Sequence, residues 1–187
     1  ELGLRTGRLF THVAAFEIPE FDRLIFISDA GVTVAPDLEQ KVAIVQNAIN
    51  VAHALGINRP RVAVLAATET VNPKIPTTLD AAHLSKMADR GQIQGGLVDG
   101  PLALDNAISP ESARIKGIRS EVAGYADILI TPDIEAGNVL AKAITYFAQG
   151  KMAGVVVGAR CPLILPSRSD TREAKLISLA LGVMLAS

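Results

Sequence analysis

The chain has 187 residues, of which 49% are hydrophobic and only 4% aromatic, and its formal net charge is −1. This charge gives no basic surplus that would favour nucleic acid or an acidic membrane as a partner. No apolar run has the length of a membrane span, and no basic-then-apolar signal sequence opens the chain, so a cytoplasmic globular protein is expected. The single cysteine, Cys161, cannot form an internal disulfide.

The N-terminal part of the chain predicts two strands and then a long helix. Residues 9–16 and 24–28 are rich in β-branched and aromatic side chains, which is typical of two strands joined by a turn. Apolar residues recur at helical spacing over residues 37–55, and Asp37 with Gln40 forms a possible capping box at the start.

A β–α alternation begins after this helix. The continuous apolar run 61–67 predicts a strand that is covered on both faces. Two prolines keep residues 68–76 from being regular, and a helix is predicted at 78–89 with Thr77 as its cap.

Shorter elements follow. Residues 96–99 predict a strand that leads into a helix at 102–108, with Pro101 at a first helical position. A further helical turn is predicted at 111–116.

The last third of the chain predicts one more α/β unit, an antiparallel pair and a final helix. Residues 127–131 form a predicted strand and residues 135–149 a helix. The apolar runs 155–157 and 163–165 are too close for a crossover and should be antiparallel. The final helix, 171–185, is apolar on most faces, which favours burial or a subunit contact.

This order predicts a three-layer α/β/α architecture, in which helices cover both faces of a mostly parallel sheet with one antiparallel excursion. Ligands of such sheets bind at the carboxyl ends of the strands. The predicted loops at that edge are 68–76, 99–100, 131–138 and 167–170.

The junction at Ser167 and Arg168 is the strongest candidate site. An apolar strand runs there into the start of a helix, and backbone N–H groups, a hydroxyl and a guanidinium together suit a phosphate. The structural alternative is that Ser169 or Asp170 only caps the helix, with Asp170 and Glu173 as a capping box.

Other polar residues near the predicted strand ends are weaker candidates. Asn138 and Lys142 share a helix face and could hold an anion, or could be a solvated surface pair. Asn72 and Lys74 could do the same from the Pro-broken loop. Asp99 could orient a basic group or merely cap its turn.

Several common sites lack support. The sequence has no P-loop, no G-x-G-x-x-G and no H-E-x-x-H motif. His12, His53 and His83 are scattered, and the apolar neighbours of His83 favour a core or interface residue over a general base. Cys161 is interpreted as a small buried hydrophobe, although a thiol nucleophile stays open.

Several short motifs nonetheless occur in the order and at the separations of one enzyme family. They are D-G-P-L-A-L-D at 99–105, V-A-G at 122–124, P-D-I-E-A-G-N at 132–138 followed by Lys142, and S-R at 167–168. Over nearly its whole length the chain resembles the phosphate acetyl/butyryl transferases, or phosphotransacylases. Residues 72–82 and 86–91 look most like the butyryl branch and the transferase part of bifunctional enoyl-CoA hydratase/phosphate acetyltransferases.

The resemblance implies a fold of the isocitrate/isopropylmalate dehydrogenase type, with two α/β domains, a cleft between them and a homodimer. Family members are longer at the N-terminus, so residues 1–187 are expected to be the C-terminal part of such a transferase. The implied reaction is reversible acyl transfer between CoA and phosphate, with CoA as a substrate, no bound cofactor and no metal.

The resemblance also implies roles for individual residues. Ser167 and Arg168 match the pair that contacts phosphate and CoA. The acidic residue that helps to deprotonate the thiol in acetyl-type members is matched here by Ala174, so Asp170 or Glu173 would have to replace it. The implied substrate-binding residues are Asn72, Lys74, Asp99, Asp133, Asn138 and Lys142.

Two other functions remain open at this point. One is a non-catalytic fragment that binds CoA or dimerises. The other is an NAD- and metal-dependent dehydrogenase of the same fold, which would need an aspartate cluster, whereas Asp99, Asp105 and Asp133 are spread along the chain.

Overall fold

A computed structural model describes residues 3–19 and 21–186 of the chain, so expectations that involve Glu1 or Glu20 fall outside the described residues. The elements in chain order are β1 (Thr11–Glu17), β2 (Ile25–Ser28), α1 (Leu38–Ala54), β3 (Arg61–Leu65), α2 (Pro76–Asp89), β4 (Leu97–Leu102), α3 (Leu104–Ile108), α4 (Pro110–Ile115), β5 (Ile128–Ile130), α5 (Ile134–Phe147), β6 (Lys151–Val157) and α6 (Arg172–Ala186). Among these described helices, none is both long and apolar enough to cross a membrane.

The strands form one sheet in the order β4-β3-β5-β2-β1-β6. Strands β4, β3, β5 and β2 are parallel, whereas β1 is antiparallel to both of its neighbours, β2 and β6. The mostly parallel sheet is therefore confirmed. The predicted antiparallel partner at 163–165 is reduced to one bridge, in which Leu163 and Val156 exchange backbone hydrogen bonds.

The sheet has a hydrophobic core on each face, because successive side chains of a strand point to opposite faces. Val13, Phe26 and Ile128 pack with α1, α2 and α6 on one face. Ile27 and Leu129 pack with α3, α4 and α5 on the other face. The three-layer α/β/α prediction is confirmed by these two separate clusters.

The capping box of α1 is confirmed, but the predicted cap of α2 is wrong. The Asp37 carboxylate accepts from the Gln40 backbone N–H at 2.8 Å, and the Gln40 side chain accepts from the Asp37 N–H at 3.0 Å. Helix α2 instead begins at Pro76 without a side-chain cap, so Thr77 lies inside it. Proline suits a first helical position because its missing N–H would have had no partner there.

The predicted position of Pro101 at the start of a helix is also wrong. It lies near the end of β4, and the helix after it begins only at Leu104. Strand β4 is at the edge of the sheet, where a residue without an N–H can be accommodated.

Three expectations about burial are corrected. His83 is exposed on α2 rather than part of the core, and Cys161 is exposed rather than a buried hydrophobe. Helix α6 buries Ser178 and Leu181, but it leaves Leu176 66% exposed, so the helix is not buried within this chain. A subunit contact for that surface stays a prediction.

The two-sided burial of β5 makes its first residue, Ile128, a sensitive test of the fold. We expect Ile128→Ala to lower the free energy of unfolding by about 2–5 kcal/mol, because Ile128 is 0% exposed and its removal leaves a cavity. The matched control Ile115→Ala, at a side chain that is 71% exposed, should change it by less than about 0.5 kcal/mol. Urea denaturation would measure both, and equal losses would contradict the assigned core.

Candidate functional site

A cleft of about 520 Å³ lies beside the edge strand β6, between α5 and α6. Its floor is formed by residues of β1, of β6 and of the loop after β2. Segment 165–171, which precedes α6, closes one side. The polar side chains that line it include His12, Asn138, Lys142, Ser167, Asp170 and Glu173.

The segment from Ser167 to Asp170 is a closed turn. The Ser167 N–H donates to a carboxylate oxygen of Asp170 at 2.7 Å, and the Asp170 N–H donates to the Ser167 carbonyl at 3.1 Å. The Ser167 and Ser169 hydroxyls are 3.0 Å apart and hydrogen-bonded. The second carboxylate oxygen of Asp170 has no hydrogen-bond partner among the described residues. The turn therefore presents two hydroxyls and an open carboxylate oxygen.

The predicted capping box of Asp170 and Glu173 is wrong. Helix α6 begins at Arg172, and the hydroxyl of Thr171 accepts from the Ala174 N–H at 3.1 Å, so Thr171 is the capping side chain. Glu173 forms an ion pair with Lys151 at 2.9 Å across the mouth of the cleft. The hydrogen bond and charge of Glu173 raise the pKa of Lys151.

The opposite wall is set by the first turns of α5. Asp133 is the N-cap, and its carboxylate accepts from the Ala136 N–H at 2.8 Å, so this residue has a structural contact of its own. A Cβ on Gly137 would overlap the carbonyl oxygen of Asp29, which shows how closely α5 approaches β2. This packing places the Asn138 amide 3.4 Å from the Ala30 carbonyl and directs the exposed Lys142, one turn later, to the same cleft.

The floor depends on a buried carboxylate that the sequence analysis did not single out. Asp29, directly after β2, is 2% exposed and accepts hydrogen bonds from four backbone N–H groups, at 2.8–3.2 Å. The donors are His12, Gly31, Val32 and Thr33. The available signal was an Asp-x-Gly sequence at the carboxyl end of a buried strand.

His12 is the second residue that the sequence analysis missed. A Cβ on Gly31 would lie 3.2 Å from the ring Cγ, and a Cβ on Gly154 would lie 2.9 Å from Nε2, so the imidazole fills the space that these two glycines leave. Burial lowers the pKa of His12, while the charges of Asp29 and Asp170 act in the opposite direction. The ring Nδ1 is buried and has no partner among the described residues.

Five predicted site residues do not line this cleft, and Asp133, the N-cap of α5, is one of them. Asn72 and Lys74 lie in the loop after β3, where the Asn72 side chain accepts from the Lys74 N–H at 3.0 Å. Asp99 lies in β4, beside a separate depression, and accepts from the Gly100 N–H at 2.8 Å. Arg168 is exposed on the closed turn, next to the cleft, and forms no ion pair with a described residue. Strands β3 and β4 are at the other end of the sheet from β6.

Within the described residues, no group of three or more histidine, cysteine or acidic side chains is placed to hold a metal ion. The potential ligands of the cleft instead include two lysines, Lys142 and Lys151, the Asn138 amide and several hydroxyl groups, beside the carboxylates of Asp170 and Glu173. Such a set suits a phosphorylated substrate.

Comparison with known proteins identifies the family. A family model described as phosphate acetyl/butaryl transferase matches residues 3–183. The chain belongs to this family. The suspected resemblance is therefore confirmed.

Individual relatives carry both acyl names. Phosphate butyryltransferase of Clostridium acetobutylicum is 53% identical over 186 residues, which is 100% of this chain and 62% of the relative. Phosphate acetyltransferase of Thermotoga maritima is 51% identical over 184 residues, which is 98% of this chain and 63% of the relative. The chain thus spans about three fifths of the length of these relatives, and identity alone does not separate the two acyl preferences.

A solved structure supports the fold class. The branched-chain phosphotransacylase from Enterococcus faecalis V583 superposes with a TM-score of 0.90 at 36% identity, covering 98% of this chain and 66% of that one. The three-layer α/β/α sheet therefore belongs to a known phosphotransacylase fold.

The partly buried imidazole of His12 predicts a pH dependence of stability. Because burial lowers the pKa of His12 in the folded state, the unfolded chain takes up a proton first as the pH falls. The stability associated with neutral His12 is present above the unfolded pKa, near 6.5, and is lost as the pH falls towards the lower folded value. We expect the free energy of unfolding of the wild type to fall relative to that of His12→Gln as the pH is lowered from about 7.5 to about 5. Urea titrations at each pH would measure it, and a constant difference would contradict the lowered pKa.

Proposed function

We propose that this chain takes part in the reversible transfer of an acetyl or butyryl group between CoA and inorganic phosphate. The observation that carries the proposal is the cleft, in which Lys142 and Asn138 on α5 face the hydroxyls and carboxylate of the Ser167–Asp170 turn. Family membership supports the reaction class. CoA is proposed as a substrate and not as a resident cofactor.

The lining of the cleft offers groups suited to each half of an acyl phosphate. Lys142, Asn138 and the serine hydroxyls supply a cation and neutral donors for the phosphate group. Arg168 lies between Ser167 and Ser169, which line the cleft, and its guanidinium forms no ion pair with a described residue, so we propose that it contacts the phosphate or the anionic part of CoA. The apolar lining, from Met152, Val156, Leu165 and Ile177, suits a short acyl chain.

We propose Asp170 as the group that accepts the thiol proton. Its carboxylate lines the cleft and has one oxygen without a partner among the described residues. Glu173 also lines the cleft, but its carboxylate is engaged by Lys151. A base must lie within hydrogen-bond reach of the proton that it removes, and the free oxygen of Asp170 meets this requirement better.

Several further expectations stay proposals. Substrate-binding roles also stay proposals for four residues that do not line this cleft: Asn72, Lys74, Asp99 and Asp133. They would have to contact the substrate elsewhere, for example together with another part of the full-length protein. A homodimer is supported by the exposed apolar side chains of α6, including Leu176 and Leu179. A cytoplasmic location is proposed because CoA and acyl phosphates are substrates of metabolism within the cell.

A non-catalytic CoA-binding fragment remains the second candidate, because the chain spans only 62% and 63% of two curated relatives. Calorimetry with CoA, beside an acyl-transfer assay of the full-length gene product, separates the two functions. Binding without turnover in the full-length protein would favour this alternative. The dehydrogenase alternative receives no support from the family comparison.

The guanidinium at the turn is the first test. We expect Arg168→Ala in the full-length protein to lower kcat/KM by about a hundredfold, as removal of a preorganised charge should. Thioester formation from acetyl or butyryl phosphate and CoA would measure the rate. The control Arg114→Ala removes an exposed arginine from α4, away from the cleft, and should leave the rate unchanged. Equal rates for both variants would refute the assignment of Arg168.

The two carboxylates provide a second test. Asp170→Asn keeps an oxygen that can accept from the Ser167 N–H but removes the base, so we expect kcat to fall by a factor of about 10²–10⁴. Glu173→Gln, which breaks only the ion pair with Lys151, should keep most of the activity. If the Glu173 variant lost more activity than the Asp170 variant, the assignment of the base would be reversed.

A further inference from the structure

His12 lies in the floor of the cleft, where its backbone is hydrogen-bonded and its ring packs between two glycines. Its backbone N–H donates to the Asp29 carboxylate at 3.1 Å, and its carbonyl accepts from the Ser28 hydroxyl at 2.8 Å. The ring lies against Gly31 on one side and Gly154 on the other, at distances that leave no room for a Cβ at Gly154. This close packing restricts the orientation of the ring before a substrate arrives.

The two ring nitrogens have different surroundings. Nδ1 is buried without a partner among the described residues, whereas Nε2 lies beside Gly154, which lines the cleft. A neutral imidazole carries its single proton on one of the two nitrogens. Buried N–H groups without an acceptor are rarer than buried acceptors without a donor, so the proton belongs on Nε2. The ring then presents an N–H to the cleft and keeps its lone pair buried.

We infer that His12 is a catalytic residue that donates a hydrogen bond from Nε2–H to the carbonyl oxygen of the transferred acyl group. This inference rests on the proposed acyl transfer. A neutral donor that points to the place where negative charge develops stabilises the transition state without any proton transfer.

The charges around the ring are compatible with this role. Asp29, below the ring, and Asp170, on the closed turn, both favour protonation, and Glu173 on α6 adds a third acidic group to the cleft. Lys142 on α5 and Lys151 on β6 oppose them from the same cleft. Burial has the largest effect on the pKa of His12 and favours the neutral imidazole. A neutral imidazole can donate a hydrogen bond without carrying a positive charge itself.

The group transfer balances with the residues that are present. The CoA sulfur forms a bond to the acyl carbon while the carbonyl electron pair moves to oxygen, where His12 Nε2–H donates to it. The carbonyl then re-forms as the carbon–oxygen bond to phosphate breaks. Asp170 takes the thiol proton and passes it to the departing phosphate, so acyl phosphate and CoA give acyl-CoA and hydrogen phosphate.

The geometry assigns a donor and not a base at this position. A base needs a lone pair that faces the thiol, and the lone pair of this tautomer is on the buried Nδ1. The two roles predict different substitution patterns, because an amide can replace a hydrogen-bond donor but cannot replace a base.

Kinetics of the full-length protein test the donor role. His12→Leu and His12→Asn remove a donor from the Nε2 position and should lower kcat about 10²–10³-fold with little change in the KM for CoA. His12→Gln, whose longer amide can reach that position, should stay within about tenfold of the wild type and keep the pH profile of kcat/KM. His83→Gln, at an exposed histidine on α2, is the matched control and should be unchanged.

Two kinetic outcomes would overturn the inference. Unchanged kcat in both the Leu and the Asn variants would show that the ring only fills space. A Gln variant as slow as the others, together with loss of the acidic limb of the pH profile, would show that His12 is a base. Thermal melts would show which variants fold. Because Leu and Asn differ in polarity, one of the two variants can still test the inference if the other does not fold.

The tautomer can be measured without any activity. Nitrogen-15 spectra of selectively labelled histidine should show His12 neutral at pH 7 with its proton on Nε2, and the His12→Gln variant assigns the signal. A proton on Nδ1, or a charged ring, would overturn the inference. If the wild type formed no acyl-CoA, the proposed function would be wrong, but the tautomer could still be measured. Failure of the proposed function can therefore be distinguished from failure of the assignment of the His12 tautomer.

Discussion

The cleft depends on one buried carboxylate. Asp29 accepts four backbone N–H groups, from the start of β1 and from the loop after β2, so it joins two strands and a loop that would otherwise separate at the carboxyl edge of the sheet. A carboxylate buried at 2% exposure is stable only because so many donors replace its lost water. Helix α5 then packs through Gly137 against the carbonyl of the same residue. The floor and one wall of the cleft therefore share a single anchor.

Helix α6, which forms the other wall of the cleft, is hydrogen-bonded to the free edge of β6. The hydroxyl of Ser178 accepts from the Gly154 N–H at 3.0 Å and donates to the Ala174 carbonyl at 2.8 Å, so α6 takes up an edge hydrogen bond that no further strand satisfies. Gly182 allows close approach of the helix to Ile164, since a Cβ there would lie 2.7 Å from that side chain. At this end of the sheet β6 is the edge strand, paired antiparallel to β1, and residues of both strands line the cleft.

Local patterns predicted the elements well, and long-range contacts account for what they missed. The capping box of Asp37 and the apolar run of β3 follow from residues close in sequence. The role of His12 depends on Asp29, Gly31 and Gly154, and Gly154 is far away in the chain, so its position could not be read from the residues around it. The same holds for Asn72 and Asp99, because helix and strand prediction gives the carboxyl edge of the sheet but not the order of the strands along it.

The distribution of charge in the cleft follows from the cost of burial. Lys142 and Arg168 are exposed at the rim, where a cation keeps its hydration until an anionic substrate replaces it. A cation on the floor would lose that hydration permanently, and burial accordingly lowers the pKa of His12. A phosphate brings its full charge to the cleft and can meet charged groups at the rim, whereas an acyl oxygen gains charge only during the reaction. A neutral N–H on a rigid floor is therefore the donor that favours the transition state over the bound substrate.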